Sequence, residues 1–151
     1  TKSEWVQARK SVLAKEKELS REYDAIVQAR KNLPFLKLDK AYNFVTDEGN
    51  VELKDLFGEY DTLIVQHLMF GEEDEQCCSV CSFFTDGYNG HLRHLSDNGV
   101  SFYCTAPASL GKLSALKESK KWDISMASCV GASFNIDMGF EGTEEQKVPI
   151  L

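Results

Sequence analysis

No hydrophobic stretch in this 151-residue sequence is long enough to cross a bilayer. The most apolar one, Thr62 to Phe70, is about half the ~20 residues that a spanning helix needs. The first residues are charged and helix-forming, without the apolar segment of a secretory signal. Positive charge is also short: 17 Lys and Arg face 24 Asp and Glu, a formal net charge of −7. Nucleic acids and anionic membrane surfaces are recognised by clustered cations, so neither is an expected partner. There is no Gly-rich phosphate loop and no Gly-x-Ser-x-Gly elbow. Repeats and linker-like stretches are missing too. What remains is a chain of one-domain length, 42% hydrophobic, with enough apolar side chains to bury a core.

Cysteine is present in an uneven way. There are five, an odd number, and three crowd into Cys77 to Cys81. A secreted disulfide scaffold would spread an even set through a shorter chain. A reducing, cytoplasmic compartment is therefore expected, with the cluster serving redox or metal chemistry.

Residues Ser3 to Asn32 read as one long helix, with Trp5, Val6, Val12, Leu13, Leu19, Tyr23, Ile26 and Val27 at helical spacing. Leu33-Pro34 ends it, because proline cannot continue the hydrogen-bond ladder. Residues 1–34 are thus expected as a helical arm that packs over the domain of residues 35–151 or against a partner subunit. The period then changes. Lys40 to Val45 and Val51 to Leu53 read as strands around the turn Asp47-Glu48-Gly49-Asn50, and Lys54 to Tyr60 as a brief helical turn. Leu63 to Phe70 is nearly all apolar, as in a central strand covered on both faces. Ser79 to Ser96 is expected as a helix with Phe83, Phe84, Tyr88, Leu92 and Leu95 on its apolar stripe, and the aromatics as core and pocket wall. Val100 to Thr105, Leu110 to Lys121 and Ile124 to Val130 follow as strand, helix and strand. Alternation of this kind predicts an α/β fold whose parallel strands are joined by right-handed crossovers.

The chemistry concentrates at Cys78-Ser79-Val80-Cys81. At the first turn of a helix, two intervening residues bring the sulfurs within bonding reach. The leading cysteine meets unpaired N–H groups and the positive end of the helix dipole, which favour its thiolate. The thiolate attacks a disulfide, and the second thiol resolves the mixed disulfide. Cys78 is the expected nucleophile and Cys81 the resolving thiol, after a buried strand as a thioredoxin-like motif requires. Cys77 could compete, although bridging adjacent residues strains the peptide between them. The carboxylates of Glu72-Glu73-Asp74-Glu75 are expected to raise the Cys78 pKa against the helix dipole.

These residues resemble the DUF899 family of thioredoxin-like proteins. The resemblance is carried by Trp5-Val6-x-Ala8-Arg9-Lys10, Ala14-Lys15-Glu16-Lys17-Glu18-Leu19 and Leu33-Pro34-Phe35. It continues through His67-x-Met69-Phe70-Gly71, Cys78-x-x-Cys81-Ser82-Phe83, Trp122 and Ser128-x-x-Gly131-x-x-Phe134-Asn135-x-Asp137. It implies a thioredoxin-like three-layer sandwich extended by a long N-terminal helix, dithiol-disulfide oxidoreductase activity, and Cys78 and Cys81 as the redox pair. The family usually has Pro-Ser where Ser79-Val80 stand here, so the redox poise is expected to differ. It also implies a cis-proline facing the dithiol, at Pro149, followed by a strand pair and a closing helix. The fold is therefore expected to be incomplete at its C-terminal edge, with an open sheet edge that invites homodimerisation. The N-terminal helix is a second candidate dimer surface.

Other residues carry competing readings. His67 is either a core residue or a proton shuttle supporting the thiols. His91-x-x-His94 has metal-ligand spacing, but stands about 15 Å along the helix from the cysteines at 1.5 Å per residue, so no metal and no cofactor is expected. Cys104 and Cys129 read as small buried hydrophobes. No role is assigned to Asn135 and Asp137, which read as loop. Peroxidase chemistry of the peroxiredoxin kind is not expected, since neither Thr nor Pro stands between Gly71 and Cys77. The expected function is thiol-disulfide exchange on a protein or small-molecule disulfide. The alternatives are a thioredoxin-like binding scaffold without turnover and, less favoured, a metal-binding protein.

Overall fold

The computed structural model describes residues 1–140, so the expected cis-proline at position 149 lies outside the described residues. The chain divides into two compact units, Thr1–Asp39 and Lys40–Leu151. In the first, α1 (Lys2–Lys31) is 30 residues long and starts at a capping box: the Thr1 hydroxyl accepts the Glu4 N–H at 3.3 Å while the Glu4 carboxylate reaches back to Thr1. Arg30 and Lys31 complement the dipole in its last turn, and the helix stops before Leu33-Pro34. None of its residues is buried within the unit.

The second unit is a mixed α/β sandwich with a five-stranded sheet. Strands β1 (Asn43–Thr46) and β2 (Gly49–Glu52) form a hairpin around Asp47-Glu48, where Gly49 supplies a φ of +107° that other residues resist. A 3₁₀ turn over Leu53–Phe57 follows, and then β3 (Thr62–His67), α2 (Ser79–Asn89), α3 (Leu92–Asp97), β4 (Val100–Ala106), α4 (Leu110–Lys120), β5 (Ser125–Ser128) and α5 (Phe134–Asp137). The sheet order is β2-β1-β5-β4-β3, with β3, β4 and β5 parallel and β1 antiparallel to both its neighbours. Successive crossovers step in one direction across the sheet, so α2, α3 and α4 collect on one face. There Leu68, Phe70, Phe102, Cys104, Ala106, Leu113, Trp122, Ile124 and Met126 form a buried core. On the other face Tyr42, Phe44, Leu56, Ala127, Cys129 and Phe134 form a second.

The thioredoxin-like expectation agrees with this topology: the dithiol opens the helix after the first parallel strand. Several local expectations are corrected. The single helix over 79–96 is two, because α2 ends at Gly90 and α3 starts after His91, whose N–H bonds the Tyr88 carbonyl at 2.8 Å. Strand β3 stops at His67 rather than Phe70. Among the described residues it is the edge strand of the sheet with none of its residues buried, not a central strand covered on both faces. Asn135 and Asp137 sit on the short helix α5 rather than in a loop. The largest correction concerns α2. Its buried positions are Ser82 and Thr85, whereas Phe83 is 73% and Phe84 52% exposed. The register is set where Cys78 enters the helix, and it turns the small side chains inward. Thr85 then satisfies its hydroxyl on the Cys81 carbonyl at 2.8 Å.

Candidate dithiol site

Strand β3 delivers the chain to the site, and the segment after it is stitched to the helix. The Leu68 N–H bonds the Thr105 carbonyl at 2.8 Å, and the Cys78 N–H bonds the Met69 carbonyl at 3.2 Å. The approach loop is anchored to the start of α4. The Glu72 carboxylate accepts the Ser109 N–H at 2.6 Å and its hydroxyl at 3.1 Å. Lys112 donates to the carbonyls of Gly71, Glu72 and Asp74 at 2.5–2.8 Å while lying over the Phe70 ring. Four consecutive acidic residues thus fold into an ordered loop because one ammonium and one helix start absorb its polar groups.

Cys78 is the N-cap of α2, and Cys81 is its third helical residue. The N–H groups of Cys81 and Val80 and the Cys81 thiol act on the Cys78 sulfur and lower its pKa from the ordinary 9.0. In the thiol form no side-chain capping bond is closed, so this stabilisation belongs to the thiolate. Cys81 is shifted upward, chiefly by burial, and then by its hydrogen bond to Cys78; the Met69 N–H opposes this. The pair is therefore asymmetric: the leading thiol is shifted down and the follower up. This corrects the expectation that the acidic loop raises Cys78. No carboxylate contributes to its shift, since Glu72 is turned to Ser109 and Asp74 to the Gly71 N–H at 2.6 Å.

The remaining candidates lie apart. Cys77 is half-buried, its thiol pushed up mainly by burial, and it lines an open cleft of about 440 Å³ with Phe70, Lys112 and Lys120. Cys104 is fully buried in the core beneath the dithiol, and burial raises it to about 12. Cys129 is buried on the opposite face, its thiol donating to Asn135 Oδ1 at 3.3 Å. His67 alternates with Leu63 and Val65 toward that same face and stacks on Phe140, ring centroids 4.6 Å apart. It does not share the face that carries Cys81. His91 and His94 pair with each other at 6.4 Å. Among the described residues no group of three or more His, Cys, Asp or Glu side chains is placed to hold a metal ion. No helix among them is long and apolar enough to cross a membrane.

Some positioning contacts escaped the sequence. The Trp122 indole N–H donates to Asp86 at 2.7 Å, and the Asp123 N–H to Asn89 at 2.7 Å, tying the far end of α2 to the turn before β5. These partners lie 34 to 36 residues apart, and no local pattern announces them.

Comparison with solved structures finds a proposed protein disulfide isomerase from Bacteroides thetaiotaomicron at 15% identity and TM-score 0.47, covering 70% of this chain and 64% of that one. A yeast mitochondrial 1-Cys peroxiredoxin aligns at 13% identity and TM-score 0.46, covering 71% of this chain and 53% of that one. The chain thus spans less than two thirds of the length of either. No curated protein matches it. A family model does match residues 1–149, and the chain belongs to that family, described as bacterial protein of unknown function, DUF899.

Proposed function

We propose that this protein is a thiol-disulfide oxidoreductase in which Cys78 attacks and Cys81 resolves. The observation that carries the reading is the geometry at the start of α2: Cys78 caps the helix and Cys81 follows three residues on, with the Cys81 and Val80 N–H groups lowering the Cys78 pKa while burial raises that of Cys81. The Cys78 thiolate attacks one sulfur of a substrate disulfide, forming a mixed disulfide and expelling the other sulfur as thiolate. Cys81 then gives up its proton, attacks the Cys78 sulfur and releases the second substrate thiol. Two electrons pass from the dithiol to the substrate, and the reverse sequence oxidises a substrate dithiol. The dithiol carries both electrons itself, so the cycle requires no bound cofactor. Its substrate is a protein or small-molecule disulfide in a reducing compartment.

Glutathione titration with mass spectrometry tests this. A reversible Cys78–Cys81 disulfide is expected, with a potential between about −120 and −270 mV. Cys78→Ser should abolish reduction of a model disulfide, and Cys81→Ser should trap the mixed disulfide on Cys78. If Cys78→Ser turns over at the wild-type rate, or no disulfide forms, the thiols are not a redox centre and the domain is a binding scaffold.

A further inference from the structure

Cys77 is a thiol that the cycle of Cys78 and Cys81 leaves unused. With Cys81 it packs, partly buried, against the core that holds Cys104, whereas Cys78 does not. The sulfurs of Cys77 and Cys81 are both near enough to Cys104 to add to its upward shift, and Cys78 makes no such contribution. Cys81 therefore has a thiol on each side. One is Cys78, to which it is hydrogen-bonded; the other is Cys77, on which Cys81 is the leading charged influence.

Two further features set Cys77 apart from a residue that merely fills the core. It lines the open cleft of about 440 Å³ between the approach segment and α4, which neither Cys78 nor Cys81 lines. A space of that size takes a small molecule, so Cys77 has an approach of its own. The second feature is Ser82, 5% exposed, whose Oγ is buried and closes no hydrogen bond, yet favours negative charge on the Cys77 sulfur. A buried hydroxyl without a partner is costly, and the cost is recovered when the sulfur beside it becomes an anion. Lys120, on the α4 wall of the cleft, acts in the same direction.

We propose that Cys77 is a third redox thiol, which attacks Cys81 in the Cys78–Cys81 disulfide and moves the bond to a Cys77–Cys81 disulfide beside the cleft. This deepens the redox reading and rests on it for the first disulfide. In the exchange Cys77 loses its proton to solvent and its thiolate attacks the Cys81 sulfur. The Cys78–Cys81 bond breaks, the Cys77–Cys81 bond forms, and Cys78 leaves as thiolate; no electrons enter or leave the protein. The donors on Cys78 suit this direction, because a thiolate of low pKa departs faster. The new pair is four residues apart, so the strain of bridging the neighbours Cys77 and Cys78 does not arise. Cys77 also stands ahead of the N-cap, outside the hydrogen-bonded ladder of α2. Cys78 is thereby freed, while the disulfide waits at the cleft, where two equivalents of a small thiol reduce it.

The test reads whether Cys78 is free in the oxidised protein. Wild type, Cys77→Ser and Cys77→Ala are oxidised with diamide, freed of oxidant and treated with iodoacetamide, and tandem mass spectrometry locates the label. Oxidised wild type should take label on Cys78 at least about tenfold faster than either variant, because only Cys77 can release it. Oxidised Cys78→Ser should hold a Cys77–Cys81 disulfide that reduced glutathione removes, and Cys77→Ser combined with Cys78→Ser should form none. Equal labelling of Cys78 in wild type and in the Cys77 variants, or no Cys77–Cys81 disulfide in Cys78→Ser, would overturn the proposal. Failure of the redox reading is separable. Cys78 protected to the same degree in all three proteins means that the first disulfide forms and the exchange does not. Cys78 unprotected in the Cys77 variants means that the first disulfide itself is missing, which defeats both.

Discussion

Cys78 and Cys104 serve the same face of the same sheet and are opposite in chemistry. Cys78 stands where a helix begins, with backbone donors converging on its sulfur and a lowered pKa. Cys104, on β4 beneath, is fully buried, and burial lifts it to about 12. Cys77 and Cys81, partly buried against the same core, are shifted upward as well, with burial the leading cause in each. Of the four thiols associated with this face, one alone gains more from backbone donors than it loses to desolvation. Reactivity here follows from place in the fold rather than residue type.

The contrast can be broken most forcefully by alkylation. At pH 7.5 in the native state, iodoacetamide should label Cys78 at least about 10³-fold faster than Cys104, since Cys78 is partly exposed with a lowered pKa while Cys104 is buried and raised to about 12. Site-resolved mass spectrometry reading comparable rates at the two would refute it.

A smaller effect is read at alkaline pH. The folded pKa of Cys104 lies above its unfolded value, so its contribution to stability is fully present below about pH 9 and is lost as pH rises toward 12. Over that window the wild type should lose up to about 1.4 kcal/mol per pH unit from this one group. Denaturant melts of Cys104→Ala should show a correspondingly shallower decline. Cys78 runs the other way: its folded pKa is depressed, and the stability it adds above the unfolded value is lost as pH falls through the folded one. A Cys78→Ser variant should therefore match the wild type at low pH and fall behind it as pH rises through the folded pKa of Cys78.

The finest test concerns the residues between the cysteines. The donors acting on Cys78 are Val80 and Cys81, not Ser79, which occupies the first helical position. Proline is tolerated there, and the Cys78 backbone (φ −48°, ψ 127°) already suits a residue before proline. Ser79→Pro should therefore stabilise the fold by about 0.4–1 kcal/mol while leaving the thiolate titration of Cys78 unmoved. A shift in that titration would show that the Ser79 N–H belongs to the site.

The dithiol and its place in the fold were legible because the signals are local. A strand, a loop, a Cys-x-x-Cys and an amphipathic run follow one another within about thirty residues, as do the later strand and helix. The alternation of periods also sufficed for the parallel sheet, and Pro34 for the end of α1. Legibility failed where the outcome depended on contacts between distant segments. The aromatics of α2 look like a core stripe in isolation, because spacing reveals a face but not which face is turned inward. That choice was made by the entry of Cys78 into the helix and by Trp122 and Asp123 gripping Asp86 and Asn89 from the other end.

The acidic loop illustrates the same division. Its composition is plain in the sequence, and like charge near a thiol predicts a raised pKa. Only the folded chain brings Ser109 and Lys112 to Glu72 and its neighbours and turns those groups to other tasks. The sequence by itself determined that Cys78 and Cys81 form a helix-opening dithiol, since two-residue spacing and chain order act between neighbours. The donors that lower Cys78 are likewise its neighbours, Val80 and Cys81, whereas tertiary structure decided the burial that raises Cys77, Cys81 and Cys104 and which side of α2 meets solvent. Desolvation is a property of the space around a group, and that space is filled by residues far away along the chain.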